Sequence, residues 1–327
     1  MKKLLTALLC AIIAVASAFG LTACGNEKGS VSVYMPDGAP ALAAAQLMAD
    51  ENKFERHVNY EVVDASLIQG MVTGESPKAD ICILPVNLAS KLLGTGTTYK
   101  MLGTVTHGNL FLLSANGEKI TKENISSLIG KTVGVVNLAA VPGLTFKIIL
   151  GDNNIGYNEL GNGGQPDSNK VNLKAVTPAT LTGCDYYIIA EPVASGQRNL
   201  KFSGSLQELY GTQGGYPQAV LVAKNTLIET DEAFIEKFMN AIAENAEWLL
   251  KDSTQSETIV SAIQNHLTKG LSPQFTADNL SKDVIGNCAI KFVKANDCKE
   301  EVNAFIKKLI AVNGPASEVD DGFYYSK

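Results

Sequence analysis

Short apolar runs alternate with amphipathic ones in two successive series along this chain, and each series is closed by an extended apolar segment. In the first series, strands are expected at 31–35, 60–63 and 80–84, with helices at 39–48, 67–72 and 87–93. Pro36-Asp37-Gly38 stops the first strand, and Pro40 suits the opening turn of the helix that follows. The first extended segment covers 101–114. The second series opens with Gly130-Lys131-Thr132-Val133-Gly134-Val135-Val136, a turn over 137–143 and a helix over 144–150. Residues 152–169 are rich in Gly and Asn and read as a surface loop, before strands at 171–176 and 185–190. A second extended segment spans 216–223. From Thr230 onward the chain reads as wholly helical. Phe234, Phe238, Ala241, Ile242 and Leu249 fall on one face, with Thr230 or Asp231 as its cap. Val302, Phe305, Ile306, Leu309 and Ile310 form a second face, stopped by Asn313-Gly314-Pro315.

Strands alternating with helices argue for parallel βαβ units and an α/β fold. Two extended segments bracketing the second series imply that the chain leaves one lobe near residue 112 and returns near 218. Residues 31–110 and 220–327 would then form lobe I, and 111–219 lobe II. Open parallel sheets bind ligands beyond the carboxyl ends of their strands, and pockets favour domain interfaces. The cleft between the lobes is therefore the expected site.

The N-terminus carries Lys2 and Lys3, then an uncharged apolar run of 16 residues over 4–19, short of the roughly 20 that a membrane span needs. Leu21-Thr22-Ala23-Cys24 resembles the lipobox of bacterial lipoproteins. That resemblance implies a cleaved signal over 1–23, lipid on Cys24, a short polar tether over 24–30, and a protein held at the outer face of the cytoplasmic membrane.

Without Lys2 and Lys3, 25 basic residues stand against 33 acidic ones, a balance of −8 that disfavours nucleic acid and anionic membrane surfaces as partners. Arg56 and Arg198 are the two arginines, so a strongly anionic ligand would have to be held by lysine or backbone amides. Cys82 and Cys184 sit in or beside apolar runs and read as small hydrophobes. Cys288 and Cys298 could pair in an exported protein or stand as free thiols. Three histidines and no Cys-x-x-Cys spacing make a zinc site a poor expectation. There is no Gly-x-Ser-x-Gly elbow and no phosphate-binding loop, so an enzyme is not expected.

Tyr34-Met35-Pro36-Asp37-Gly38-Ala39-Pro40, Gly130-Lys131-Thr132-Val133-Gly134, Ala190-Glu191-Pro192 and Tyr216-Pro217 occur in order after the lipobox. Together they resemble the substrate-binding proteins of ABC importers for sulfonates, nitrate and thiamine-type pyrimidines. The resemblance implies the two-lobed type II periplasmic-binding-protein fold, each lobe a mostly parallel sheet flanked by helices, with two crossover strands as the hinge. It implies capture of one small molecule, delivery to a permease with a cytoplasmic ATPase, no cofactor, and a monomer. Carried over position by position, it places Asp37, Gly38 and Ala39 after the first strand, and Pro85 and Asn87 after the third. His107 and Asn109 fall on the crossing, Asn137, Ala140 and Val141 at the opening of the second-lobe helix, Glu191 at a strand end and Tyr216 on the return strand. For Asp37 and Asn87 a helix cap is the competing role. For Glu191 it is fixing the hinge loop, for His107 a satisfied structural histidine, and for Tyr216 an ordinary half-buried ring. The anion-binding relatives present Gly-Ser or Gly-Thr where this chain has Leu138-Ala139-Ala140-Val141-Pro142-Gly143. With the arginine shortage and the acids Asp37, Asp185 and Glu191, this favours a neutral or cationic heteroaromatic such as thiamine or its pyrimidine precursor over a sulfonate or nitrate.

Overall fold

The computed structural model of the protein describes residues 29–326. The signal expected over 1–23 and the lipid-bearing Cys24 lie outside the described residues. No helix among the described residues is long and apolar enough to cross a membrane.

Two six-stranded sheets carry the fold. The first holds β1 (Val31–Pro36), β2 (Val58–Val63), β3 (Ile81–Pro85), β4 (Tyr99–Thr106), β11 (Ala219–Lys224) and β12 (Ile290–Lys294), in the order β12-β4-β11-β3-β1-β2. The second holds β5 (Leu110–Ser114), β6 (Thr132–Val136), β7 (Tyr157–Leu160), β8 (Val171–Val176), β9 (Tyr186–Ala190) and β10 (Lys201–Ser205), in the order β10-β5-β9-β6-β8-β7. The segment over 101–114 is thus not one strand: β4 and β5 belong to different sheets, and His107-Gly108-Asn109 is the step between them. We refer to the parts built on the two sheets as lobe I and lobe II.

Helices α1 (Ala39–Leu42), α2 (Ala45–Ala49), α3 (Ile68–Val72) and α4 (Val86–Leu93) alternate with the first strands. In lobe II, α5 (Val141–Asp152) follows β6 and α6 (Leu206–Tyr210) follows β10. The chain then adds α7 (Asn225–Thr230), α8 (Glu232–Leu250), α9 (Ser256–Gln264), α10 (Lys282–Asn287) and α11 (Ala295–Ala311). The helix expected over 39–48 is interrupted between α1 and α2. Asn245 of α8, fully buried, donates through Nδ2 to the Leu42 carbonyl at 2.9 Å and accepts the Gln46 N–H at 2.8 Å through Oδ1. A continuous helix would bond those same two backbone groups to each other, so the side-chain amide replaces the missing i→i−4 bond. The C-terminal stretch is not wholly helical either, because β12 adds an edge strand to the first sheet.

Burial follows the two faces of the first sheet. Cys82, Leu84, Val220 and Val222 point into one apolar cluster, while Ile81, Ile83, Leu221 and Ala223 point into another. The α8 stripe Phe234, Phe238, Ala241, Ile242 and Leu249 fills the second cluster. Val302, Phe305, Ile306 and Leu309 of α11 fill the first, leaving Ile310 of the expected stripe facing solvent. Cys288 lies in one cluster and Cys298 in the other, with β12 between them. Both are free thiols, which corrects the disulfide reading. Burial raises the Cys298 thiol to about 11.

Candidate functional site

The strand directions bring one edge of each sheet together. β1, β2, β3 and β4 end at Pro36, Val63, Pro85 and Thr106, while β11 and β12 begin beside them, with Ala219 opposite both Pro85 and Thr106 and Ile290 opposite Thr106. In lobe II, β6, β8 and β9 run parallel and end at Val136, Val176 and Ala190, and Leu110 pairs with Ala190 at the start of β5. The carboxyl edges of both sheets therefore adjoin the two segments that cross between the lobes.

Those segments are stitched to each other. Tyr216 and Gln218 donate backbone N–H groups to the carbonyls of His107 (3.3 Å) and Thr106 (3.0 Å). Asn109 and Gln218 bond twice: the Asn109 N–H donates to Gln218 Oε1 at 3.2 Å, and Gln218 Nε2 donates to Asn109 Oδ1 at 2.7 Å. Gln207 Nε2 donates to the Gly108 carbonyl at 2.8 Å. Two glycines permit this approach. Gly215, at φ +88°, would put a Cβ 1.9 Å from the His107 carbonyl oxygen, and Gly108, at φ +89°, would put one 2.8 Å from the Tyr216 ring.

Around this crossing the expected residues separate by role. Asp37 is buried and accepts the N–H of Gly38 at 2.7 Å and of Gln274 at 2.8 Å. Burial pushes its carboxyl up, against the pull of those two bonds. Gly38, at φ +95°, caps the four-residue α1, and Ala39 is buried inside it. Pro85 caps α4, whose second residue, Asn87, is 2% exposed with Oδ1 lacking a hydrogen-bond partner. Thr106 Oγ1, at the end of β4, is also buried and without a partner. Both oxygens are thus acceptors left unpaired inside the protein near the carboxyl edge of the lobe I sheet.

His107 is 6% exposed, and its Nε2 lies 3.1 Å from both Thr104 Oγ1 and the Lys291 carbonyl. A carbonyl only accepts, so the ring carries its proton on Nε2. Burial holds its pKa below the usual value, and the nearby Lys291 ammonium adds to that effect. Asn109 is buried and donates through Nδ2 to the Glu191 carbonyl at 2.6 Å, while the Glu191 N–H donates to the Asn109 carbonyl at 2.8 Å. Asn137 is exposed at φ +61°, Ala140 caps α5, and Val141 is buried in its first turn. Glu191 is buried, and its carboxylate accepts both the N–H and the Oγ–H of Ser195, at 2.9 and 2.6 Å.

Tyr216 departs from the ligand-stacking reading. Its ring is fully buried, stacked on Phe305 at 5.5 Å and tilted against Tyr210 at 5.3 Å, so its faces are taken by protein. Gln218, Gln274, Ser195 and Asn287 carry bonds at this junction and were not foreseen. Gln218, beside Pro217 on the return strand, is the one with a local signal. A separate concavity of about 740 Å³ lies near the start of the described chain, lined by Phe54, Arg56, Phe234 and Lys237 among others. Its Arg56 is already paired with Asp231 at 3.0 Å. No cluster of three or more His, Cys, Asp or Glu side chains suited to a metal ion occurs among the described residues.

No family model matches the sequence, and no curated protein matches it. Solved structures match the fold closely in extent and distantly in sequence. An ABC transporter structure from Parabacteroides distasonis superposes with a TM-score of 0.66 at 18% identity, over 92% of this chain and 100% of that one. The periplasmic aliphatic sulphonate binding protein SsuA from Escherichia coli gives 0.58 at 14% identity, over 91% and 92%. The ligand binding component of an ABC-type import system from Staphylococcus aureus, solved with zinc bound, gives 0.56 at 14%, over 91% and 97%. The protein has the two-lobed fold of periplasmic substrate-binding proteins.

Proposed function

We propose that this protein is the extracytoplasmic solute-binding component of an ABC importer, closing two lobes around one small molecule and passing it to a permease driven by a cytoplasmic ATPase. The observation that carries the reading is the pair of facing carboxyl sheet edges joined by two stitched crossings, in a fold that matches importer receptors over nine-tenths of the chain. In this reading the parts divided near residues 110 and 220 are the functional lobes, with Leu110 on the lobe II sheet and Ala219 on the lobe I sheet. Residues 1–23 are a signal and Cys24 carries the membrane-anchoring lipid. The protein acts as a monomer, binds rather than transforms its ligand, and needs no cofactor.

Asp37, Gly38, Ala39, Pro85, Asn87, His107, Asn109, Asn137, Ala140, Val141 and Glu191 surround the proposed site. The buried acids Asp37 and Glu191 and the acceptor oxygens of Asn87 and Thr106 favour a donor-rich neutral or cationic heteroaromatic, of the thiamine or pyrimidine-precursor kind. A sulfonate-type anion is the second reading. It is favoured by the sulphonate-binding proteins among the fold neighbours and by Lys291, whose charge reaches His107 at the same edge. Calorimetry of the purified protein against thiamine, aminopyrimidines, taurine and nitrate separates them. The first reading expects micromolar or tighter binding of a nitrogen heterocycle and none of taurine. The reverse pattern assigns the anion, and silence across all four classes refutes both.

A further inference from the structure

The chain contains three Asn-Gly pairs: Asn116-Gly117, Asn162-Gly163 and Asn313-Gly314. At such a pair the glycine N–H can attack the asparagine side-chain amide, because glycine has no side chain to crowd the five-membered ring that results. All three asparagines are exposed, so access to water does not distinguish them. What distinguishes them is whether the fold has already claimed the attacking nitrogen.

At Asn116-Gly117 it has. The Gly117 N–H donates to Ser114 Oγ at 3.0 Å, while Asn116 Oδ1 accepts the Ser114 hydroxyl at 2.8 Å and the Glu118 N–H at 3.1 Å. A Cβ on Gly117 would stand 2.9 Å from Lys201 Cβ. At Asn313-Gly314, just past α11, the Gly314 N–H donates to the Leu309 carbonyl at 2.8 Å, and a Cβ there would lie 2.7 Å from the same oxygen. Both nitrogens are held, and the space beside them is filled.

Asn162-Gly163 differs on each count. The two residues are the central positions of a turn closed by the Gly164 N–H on the Gly161 carbonyl at 3.0 Å. Among the described residues, neither the Asn162 side chain nor the Gly163 N–H makes a hydrogen bond. Gly163 sits at φ +79°, and nothing lies within 4 Å of where its Cβ would stand. The turn follows β7, which runs parallel to β8 with Leu160 opposite Lys174, so it projects from the carboxyl edge of the lobe II sheet.

We propose that Asn162 is a site of spontaneous deamidation, and that the fold spares the other two Asn-Gly pairs. The Gly163 nitrogen gives up its proton and bonds to Asn162 Cγ, and the side-chain nitrogen leaves as ammonia. One water then opens the succinimide. Cleavage of the new bond gives aspartate, and cleavage between the Asn162 main-chain carbonyl and the nitrogen gives isoaspartate. Either product adds a negative charge to the outer end of that edge, and the second also lengthens the backbone by one methylene. The modification needs no ligand and is independent of the transport reading.

The test is incubation of the full chain in detergent micelles, in warm, mildly alkaline buffer made with heavy-oxygen water, followed by protease digestion and fragmentation mass spectrometry. Asn162 should convert at least about tenfold faster than Asn116 or Asn313, whose reaction waits on local opening of a bonded glycine N–H. In chain unfolded with guanidinium the three should converge to within about threefold, because the bonds that separate them are gone. Each new carboxylate should carry one heavy oxygen. Asn162→Gln, whose larger ring closes more slowly, should lose the conversion at 162 and leave the other two pairs unchanged. Equal rates at the three pairs in the folded protein overturn the proposal. So does an Asn162 that reacts only after unfolding, or that stays intact in both states.

Discussion

At the scale of single residues, the side chains nearest the crossing are engaged in holding the backbone. Asp37 ties the end of β1 to residue 274, Asn109 ties β5 to Glu191, and His107 ties the crossing to β12. His107 makes this testable. Its pKa is lowered in the folded protein, so between the folded and unfolded values the unfolded chain binds more protons. Its contribution to stability is complete above the ordinary histidine value of about 6.5 and is lost as pH falls below it. Urea unfolding at pH 7.5 and 5.5 should show a drop at the lower pH that shrinks in His107→Gln. An equal drop in the variant would assign the effect to other groups. The positions of these residues were legible because strand ends announce themselves through Pro36, Pro85 and Pro192. Their partners were not: Asn287, Gln274 and Ser195 lie 96, 237 and 4 positions from the groups they bind, and nothing local marks them.

At the scale of elements, the strands that escaped the sequence reading share a property. β7, β10 and β12 all stand at sheet edges. Edge strands are half-solvated and tolerate polar residues, so Tyr-Asn-Glu-Leu, Lys-Phe-Ser-Gly-Ser and Ile-Lys-Phe-Val-Lys lack the apolar runs that reveal β3, β6 and β9. The interrupted first helix escaped for a different reason. Its alanine-rich sequence favours a continuous helix, and the break is imposed by Asn245, some two hundred residues away. Asn245→Ala should leave the Leu42 carbonyl and the Gln46 N–H buried and unpaired, costing about 2–4 kcal/mol in urea unfolding. A loss below about 1 kcal/mol would show that the two helices relax into one.

At the scale of the whole molecule, the lobes share apolar interior. One buried cluster runs from Cys82, Leu84 and Val220 of lobe I through Tyr216 and Phe305 to Val133, Phe146 and Leu173 of lobe II. Lys308 of α11 adds an ion pair to Asp152 of α5 at 2.7 Å, and Leu144 packs beneath Gly314. Helix α11, carried by lobe I, is thus also a wall of lobe II. Unfolding should be a single event: Trp248 fluorescence, reporting lobe I, and far-ultraviolet circular dichroism, reporting both, should give one midpoint. Phe305→Ala should lower stability by about 3–5 kcal/mol while keeping the two probes coincident. Midpoints that part in the wild type would show lobes that melt independently.

The crossing has a further consequence for how such a molecule can be altered. The chain departs at His107 and comes back at Tyr216, whose backbone N–H bonds the His107 carbonyl. Everything between these points is an insertion whose entry and exit touch. A peptide spliced there would span the gap in the chain but would uncover the Phe305 face of α11, so a module grafted in its place has to bring closely spaced ends and an apolar surface to cover that face. The doorway is already framed by Gly108 and Gly215, the two places where a bulkier residue would collide with it.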